Sequence, residues 1–370
     1  MSNKIRVSLP NQKKEIFVDK GTTIASACAL AELPLDLVCG GKGACKKCSL
    51  EIEKEGIRET VLACREIINS DLVVYLKDYQ VKKKANILTD NFLSKTQYEP
   101  SFKKVFVKKK SLPLGSSVWE QIVKNFDFIV QDPPLSLIQK LSHIQGKNVD
   151  GITMVFWKDK LIEIEEGDTT DSAYGIAIDI GTTTVAAYFY ELITGRRIGI
   201  YSALNGQVVA GGDVITRIVE CMNNANGLET LQNYIVKTIN QLIEEAVKEH
   251  KINKNHIYAI DICGNSAMQH LFLGINPENL GRVPFTSVVK SKVTAQAKQL
   301  NLNINPRGII NFLPLIGGFV GADTTAVLLS LGDEDMDKMR SIIDLGTNGE
   351  IVLGNEEKML AASTAAGPAL

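Results

Sequence analysis

Four cysteines lie close together near the N-terminus of the 370-residue chain, and their spacing is typical of a metal centre. They are separated by five, two and fifteen residues and occupy a stretch of 26 residues: Cys39, Cys45, Cys48 and Cys64. Glycine is frequent in the loop from 39 to 48, and glycine lets backbone N–H groups come close to a bound sulfide. Four thiolates are the ligand set of a [2Fe–2S] cluster, so the array predicts one-electron chemistry.

Two other uses of cysteine compete with the cluster. A structural zinc site usually has two Cys-x2-Cys pairs, whereas this array has one, Cys45 to Cys48. Disulfides are typical of secreted chains, and the N-terminus shows no signal-peptide pattern. The cluster is the leading interpretation and the other two stay open. The remaining cysteines lie in apolar periodic segments and are predicted to be buried small hydrophobic residues: Cys28, Cys221 and Cys263.

Two aspartate–glycine turns, 165 residues apart, form a second chemical pattern. In the first, an apolar strand delivers Asp179 to a turn made of Gly181, Thr182, Thr183 and Thr184. The second repeats this plan with Asp344, followed by Gly346, Thr347, Asn348 and Gly349. Backbone N–H groups and threonine hydroxyls in such turns can hold phosphate oxygens, and the aspartates can hold Mg²⁺ through water. The pair therefore predicts a phosphate and Mg²⁺ site.

Further candidate parts of that site lie between the two turns, at residues 205–207, 211–217, 261–270 and 314–323. Asp323, at a glycine-rich helix start, is a candidate to position Mg²⁺ or a hydrolytic water, and helix capping explains it about equally well. His270 stands on a helix face, where a structural role is more frequent than a proton shuttle.

Hydrophobic periodicity divides the chain into units that position these groups. Residues 1–85 predict a β-hairpin, a helix over residues 24–33, the cysteine loop and returning strands. Lysine runs mark residues 86–110 as a solvated linker or a lysine-protected edge strand, with a docking face for an acidic redox partner as the weaker alternative. Residues 111–170 predict a small middle domain of two helices and two strands without chemistry of its own. Residues 171–370 carry the two glycine turns.

Composition excludes several classes of protein. With 45% hydrophobic and 22% charged residues the chain is typical of globular proteins. A net charge of −1 gives no global field toward nucleic acid or an anionic membrane. Residues 308–331 are nearly apolar, but their proline, glycines and aspartate favour a buried strand, a turn and a helix start over a membrane span. We expect a cytoplasmic protein.

The order of these motifs resembles known families. Hairpin, helix, cysteine loop and returning strands resemble the β-grasp [2Fe–2S] ferredoxins of the adrenodoxin-like branch, with a shorter gap before Cys64. The two glycine turns resemble the phosphate-1 and phosphate-2 motifs of actin-like (ASKHA, ribonuclease H-like) ATPases, which bind ATP with Mg²⁺. Their combination across the whole chain resembles the reductive activators of corrinoid proteins.

That resemblance implies an α+β multidomain fold: β-grasp ferredoxin, linker, small α/β middle domain and actin-like ATPase domain. It also implies an ATP-dependent redox activase that takes an electron from an upstream donor. The [2Fe–2S] cluster passes it to the Co(II) corrinoid of a methyltransferase or corrinoid iron–sulfur protein, which becomes Co(I). Full-length members are expected to be homodimers. Because the chain stops at Leu370, we expect a second lobe that is incomplete, with weak ATP binding and little ATPase activity. The alternatives are a ferredoxin-type electron carrier with a nucleotide-sensing ASKHA domain and a small-molecule kinase.

Overall fold

The structure is a computed structural model that describes most of the chain. The described residues are 4–31, 33, 35, 43, 46–77, 98–108, 117–124, 126–128, 130, 132–332, 337–345 and 349–364.

The N-terminal unit is a five-stranded mixed sheet with one helix packed on it. Its elements are β1 (Lys4–Leu9), β2 (Lys14–Asp19), α1 (Ile24–Leu30), β3 (Ser49–Lys54), β4 (Ile57–Leu62) and β5 (Leu72–Tyr75). The strand order is β2-β1-β5-β3-β4, in which β1 and β5 are parallel and the other neighbours antiparallel. Alternation within the strands directs Val7, Leu9 and Val74 into one core with Ile24 and Cys28 of α1.

Helix α1 begins where the sequence predicts and ends three residues early. Thr23 is its N-cap, and the Thr23 side chain accepts a hydrogen bond from the N–H of Ser26. The helix was expected to continue to Leu33. Instead the N–H of Leu33 bonds the carbonyl of Cys28 at 2.9 Å, a six-to-one bond that closes the helix ahead of Pro34.

A small three-stranded antiparallel sheet follows, in the order β6-β7-β8. Its elements are β6 (Phe102–Lys108), α2 (Val118–Val123), α3 (Leu135–Gln145), β7 (Gly151–Trp157) and β8 (Lys160–Glu166). Residues 102–108, within the predicted linker, form an edge strand of this sheet, which is the alternative that the lysine runs also allowed. Not every lysine of this strand is solvated, because Lys104 is buried and its ammonium pairs with Glu165 at 2.7 Å.

The larger C-terminal unit is built on a six-stranded sheet. Its elements are β9 (Tyr174–Ile180), β10 (Thr184–Glu191), β11 (Arg197–Leu204), α4 (Val214–Asn223), α5 (Gly227–His250), β12 (Ile257–Gly264), α6 (Ser266–Leu273), β13 (Val293–Gln296), β14 (Ile309–Phe312) and α7 (Ala322–Ser330). The order is β11-β10-β9-β12-β14-β13; β9, β12 and β14 are parallel to one another. The apolar faces of β9 and α5 form its core.

Three more strands repeat the antiparallel arrangement of β9, β10 and β11. They are β15 (Arg340–Leu345), β16 (Gly349–Gly354) and β17 (Met359–Thr364), which pair as an antiparallel meander. Asp179 is the penultimate residue of β9 and Asp344 the penultimate residue of β15. The two hairpins therefore deliver their aspartates in the same way, as the repeated sequence predicts.

The nearly apolar stretch at residues 308–331 contains β14, a turn and α7, as predicted. Within the described residues, no helix combines the length and the apolar character needed to cross a membrane.

Candidate functional site

The first glycine turn, residues 181–184, is a tight connection between β9 and β10. The N–H of Gly181 donates to the carbonyl of Thr184 at 2.9 Å. A Cβ atom on Gly181 would stand 2.7 Å from that carbonyl oxygen, so the connection has room for glycine alone. The turn thus holds a fixed shape directly after Asp179.

Donors from two other segments fix the carbonyl side of this turn. The Asn205 side chain donates to the carbonyl of Gly181 at 2.8 Å, and the Asn205 N–H donates to that of Thr183 at 2.8 Å. The Arg217 guanidinium donates to the carbonyl of Thr182 at 2.5 Å. Sequence reasoning singled out residues 205–207 and 211–217 but assigned these two side chains no role. Hydrogen bonds to three of its carbonyls hold the turn in one conformation.

Asn265 contacts the same turn from the junction of β12 and α6. Its Nδ2 donates to the hydroxyl of Thr182 at 3.1 Å, and its Oδ1 caps α6 by accepting from the N–H of Met268 at 3.0 Å. Asn265 therefore orients both the start of α6 and the hydroxyl of Thr182 in the turn.

Acidic side chains from three elements share one electrostatic environment beside the turn. The surrounding protein desolvates the Asp179 carboxyl, and the charges of Asp323 and Asp344 add to this, which raises its pKa to about 6. Desolvation likewise raises the pKa of Asp323, against a hydrogen bond from the N–H of Thr324, and Asp344 contributes to the increase. A carboxyl whose pKa is raised by burial and by neighbouring carboxylates favours a bound cation.

The entrance of α7 brings Asp323 to this place. Gly321 is the N-cap, and a Cβ atom there would stand 2.5 Å from the Cα of Asn265. The helix start therefore packs tightly on the β12–α6 junction. Asp323 lies inside the first turn, where its Oδ1 accepts the N–H of Thr324 at 2.8 Å. Gly321 takes the N-cap position that sequence reasoning had offered for Asp323 as the alternative to a site role.

His270 has a structural environment, as predicted. Its ring is fully buried; Nδ1 lies 2.8 Å from the carbonyl of Ser266, and Nε2 accepts the N–H of Val288 at 3.1 Å. Burial lowers the pKa of His270, against the bond to Ser266. A neutral ring with both nitrogens bonded to backbone is not arranged to shuttle protons.

The second glycine turn is described at its two ends. Asp344 is the penultimate residue of β15, and Gly349 opens β16 as a buried residue paired with Leu345 and Thr364. Gly346, Thr347 and Asn348 lie outside the described residues.

Two members of the cysteine array are in contact. The Sγ atoms of Cys48 and Cys64 lie 3.2 Å apart, and neither residue is in a disulfide, whose sulfurs would be about 2.05 Å apart. The N–H of Ala63 donates to the carbonyl of Cys48 at 3.0 Å, which holds the turn after β4 beside the start of β3. Two thiolates bound to one tetrahedral metal at about 2.3 Å lie roughly 3.8 Å apart, so this pair fits a shared metal after a small adjustment.

The other two members, Cys39 and Cys45, lie outside the described residues. Within the part that is described, no three cysteine, histidine, aspartate or glutamate side chains gather as a metal-binding group. The donor pair that can be tested, Cys48 with Cys64, fits a shared tetrahedral metal, whether one iron of a cluster or a zinc ion.

The cysteines outside the array behave as the sequence predicts for small hydrophobic residues. Cys28 is buried in the N-terminal core, and burial raises the pKa of its thiol to about 12. Cys221 and Cys263 are partly buried against the core of the larger sheet, and desolvation raises the pKa of both thiols. A thiol kept protonated is a poor metal ligand.

Comparison with protein families defines the class to which this site belongs. Residues 174–338 match the middle region of RACo, and residues 338–370 match the C-terminal domain of RACo, its ASKHA domain. The stretch that carries both glycine turns is therefore similar to RACo along its whole length. The predicted resemblance to reductive activators of corrinoid proteins is confirmed.

Individual relatives agree with this class. The chain is 36% identical to the corrinoid activation enzyme RamQ of Eubacterium limosum over 370 residues, which is 99% of this chain and 62% of RamQ. It is 24% identical over 206 residues to the Methanosarcina barkeri reductase of the Co(II) methylated amine-specific corrinoid protein, covering 53% of this chain and 37% of that protein. The solved structure of a reductive activator for corrinoid, iron–sulfur protein is 28% identical with a TM-score of 0.66, covering 98% of this chain and 63% of the other. The chain thus spans less than two thirds of RamQ and of the solved activator.

Proposed function

We propose that the protein is an ATP-driven reductive activator of a corrinoid protein. A [2Fe–2S] cluster in the N-terminal unit, reduced by an external one-electron donor, gives one electron to a partner's Co(II) corrinoid. The cluster is oxidised and cobalt becomes Co(I). The partner is a methyltransferase or a corrinoid iron–sulfur protein. The observation that carries the proposal is the 36% identity to RamQ along nearly the whole chain, with both chemical motifs present.

The proposal assigns the cluster to Cys39, Cys45, Cys48 and Cys64, where it would supply one-electron transfer. Support comes from the contact of Cys48 with Cys64 and from the parallel pairing of β1 and β5, which is compatible with a β-grasp sheet. The test is Cys48→Ser against the matched Cys28→Ser. We expect the Cys48 variant to lose most of its iron and acid-labile sulfide and the EPR signal of the reduced protein. The Cys28 variant should keep all three; normal iron and EPR in the Cys48 variant would remove the assignment.

The proposal assigns MgATP to the two glycine turns. Gly181, Thr182, Thr183 and Thr184 would bind one part of the phosphate chain, and Gly346, Thr347, Asn348 and Gly349 the other. The three aspartates would hold Mg²⁺ through water: Asp179, Asp323 and Asp344. Support comes from the bonded carbonyls of the first turn and from the raised pKa values of Asp179 and Asp323.

The activity is tested in the intact protein with a Co(II) corrinoid protein as acceptor. The chemically reduced activator is mixed with the acceptor, and the absorbance of Co(I) is followed with MgATP, with MgADP and without nucleotide. We expect Co(I) to accumulate with MgATP. Equal accumulation without nucleotide would instead identify a plain electron carrier. Sedimentation of the full-length protein checks the homodimer expected of full-length members.

A further inference from the structure

The N-terminal unit contacts the larger sheet through α1. The Ser26 hydroxyl donates to the carbonyl of Val209 at 3.1 Å and accepts from the Thr23 hydroxyl at 2.8 Å. Val209 lies in a 3-10 turn at Gly206–Val209. We call residues 206–212 the docking segment, because α1 rests on them.

Cys64 lies at this contact. A cavity of about 200 Å³ separates the two units; Cys64, Ser26 and Ala29 line one side, and residues 208–212 line the other. Small side chains on α1 allow the docking segment to approach. The cysteine assigned to the cluster is therefore next to the docking segment.

Arg217 connects the docking segment to the first glycine turn. Its side chain is fully buried, and its Nε donates to the carbonyl of Gly211 at 2.9 Å. Nη1 donates to Gln207 Oε1 at 3.1 Å, and Nη2 donates to the carbonyl of Thr182 at 2.5 Å. One guanidinium thus holds two points of the docking segment and one point of the turn. Its planar array of donors makes these three positions interdependent.

The burial of Arg217 is energetically unfavourable. Burial lowers its pKa to about 9, against the charge of Asp213, whose carboxylate caps α4 through Thr216. None of the described ion pairs includes Arg217. A buried cation held by neutral oxygens costs stability that an apolar side chain of similar length would not.

The docking segment has little freedom to move independently of Arg217. A Cβ atom on Gly211 would stand 3.0 Å from the Arg217 Cγ and 3.1 Å from the Thr216 Cβ. The Gln207 side chain is also fixed, because its Nε2 donates to the carbonyl of Leu231 at 3.0 Å. A displacement of Thr182 is therefore transmitted through Arg217 to Gly211, next to the cavity that Cys64 lines.

We propose that Arg217 is a positioning residue that couples the first glycine turn to the docking of the Cys64 face on residues 206–212. The inference rests on the proposed function, since nucleotide phosphates are what the turn would bind. By linkage, nucleotide binding changes the free energy of docking, and docking changes nucleotide affinity by the same factor. The ATPase unit thereby regulates how its own electron donor is held.

Because the coupling is reciprocal, it can be tested by a substitution in the N-terminal unit that is read out as a change in MgATP affinity. The dissociation constant of MgATP is measured by calorimetry on the intact protein with Ser26→Trp, a substitution in the N-terminal unit that is too large for the contact with Val209. The matched control is Ser70→Trp, at an exposed position of the same unit that does not line the cavity. We expect Ser26→Trp to change the dissociation constant about fivefold or more. The control should stay within about twofold.

The role of Arg217 is tested by repeating Ser26→Trp in an Arg217→Met background and in a Gly211→Ala background. Gly211→Ala keeps every N–H donor of the Arg217 guanidinium and displaces the Arg217 side chain. It therefore tests the same role if Arg217→Met does not fold. We expect the effect of Ser26→Trp to fall to within about twofold in each background that folds. An unchanged dissociation constant in Ser26→Trp overturns the coupling, and an undiminished effect in the folded backgrounds overturns the role of Arg217. Absence of MgATP binding in the unsubstituted protein overturns the proposed function as well.

Discussion

Replacing Asp179 with asparagine should stabilise the protein while weakening its use of nucleotide. Asp179 is an exposed residue, but the protein around its carboxyl partly desolvates it and the charges of Asp323 and Asp344 stand nearby, so its charged form is disfavoured in the folded state. Asparagine has nearly the same shape and no charge. The substitution therefore removes the repulsion together with a candidate Mg²⁺ ligand.

The magnitude follows from the shift in the Asp179 pKa from 3.8 to about 6. Roughly two pKa units correspond to about 3 kcal/mol as an upper bound. Because Asp179 is exposed to solvent, screening reduces this to about 1 kcal/mol. For a unit of this size that equals a rise in Tm of about 2–4 °C.

The gain depends on pH with a defined sign. The raised pKa of Asp179 means that the folded state holds the proton more tightly than the unfolded state, so stability falls as pH rises from about 4 through about 6. Below this window aspartate is protonated in both states and resembles asparagine. The advantage of Asp179→Asn is therefore complete above about pH 7 and vanishes toward pH 4.

The assay is thermal unfolding of the intact protein in EDTA between pH 4.5 and 8, followed by circular dichroism. Asp159→Asn, in the exposed turn between β7 and β8, is the matched control and should not change Tm. MgATP should then raise the Tm of the unsubstituted protein more than that of Asp179→Asn. No gain at pH 7.5, or an equal gain at pH 4.5, would refute the electrostatic account of the three aspartates.

Two further substitutions test other parts of the structure. Gly181→Ala places a Cβ 2.7 Å from the Thr184 carbonyl oxygen, so the first glycine turn must open, and MgATP binding in calorimetry should weaken about tenfold or more. The control is Gly317→Ala, where a Cβ meets nothing within 4 Å, and this variant should bind MgATP normally. Equal affinities of the two variants would contradict the proposed binding of phosphate by the first glycine turn. Glu165→Gln removes the negative charge that lies 2.7 Å from the buried ammonium of Lys104 and should lower the free energy of unfolding in urea by about 3–5 kcal/mol. Combining it with Lys104→Met should recover part of that loss; a double variant as unstable as Glu165→Gln would show that the ion pair is not the cause.

The two aspartate hairpins were predictable from the sequence because residues close together in the chain determine their conformation. An apolar strand, an aspartate and a glycine–threonine turn determine the connection within about ten residues, and both hairpins place the aspartate at the penultimate position of the strand. The strand, turn and helix of residues 308–331 were predictable for the same reason, since proline and glycine interrupt the apolar stretch.

Contacts between distant segments were not predictable. Arg217 reaches a carbonyl 35 residues away, and no periodic pattern marks an arginine that will bond to neutral oxygens in a core. Lys104 was read as part of a solvated run, because its partner Glu165 becomes a neighbour only after β6 joins the sheet. Both cases are decided by tertiary packing, which local propensity does not contain.

The central claim is that ATP drives one electron from the N-terminal cluster to a partner's cobalt. It is tested most directly by rapid mixing of the reduced intact protein with a Co(II) corrinoid protein, with the cluster and Co(I) absorbances recorded together. We expect one Co(I) to form for each cluster oxidised, at equal rates, in the presence of MgATP. Formation of Co(I) at the same rate without MgATP, or with the cluster still reduced, would contradict the account.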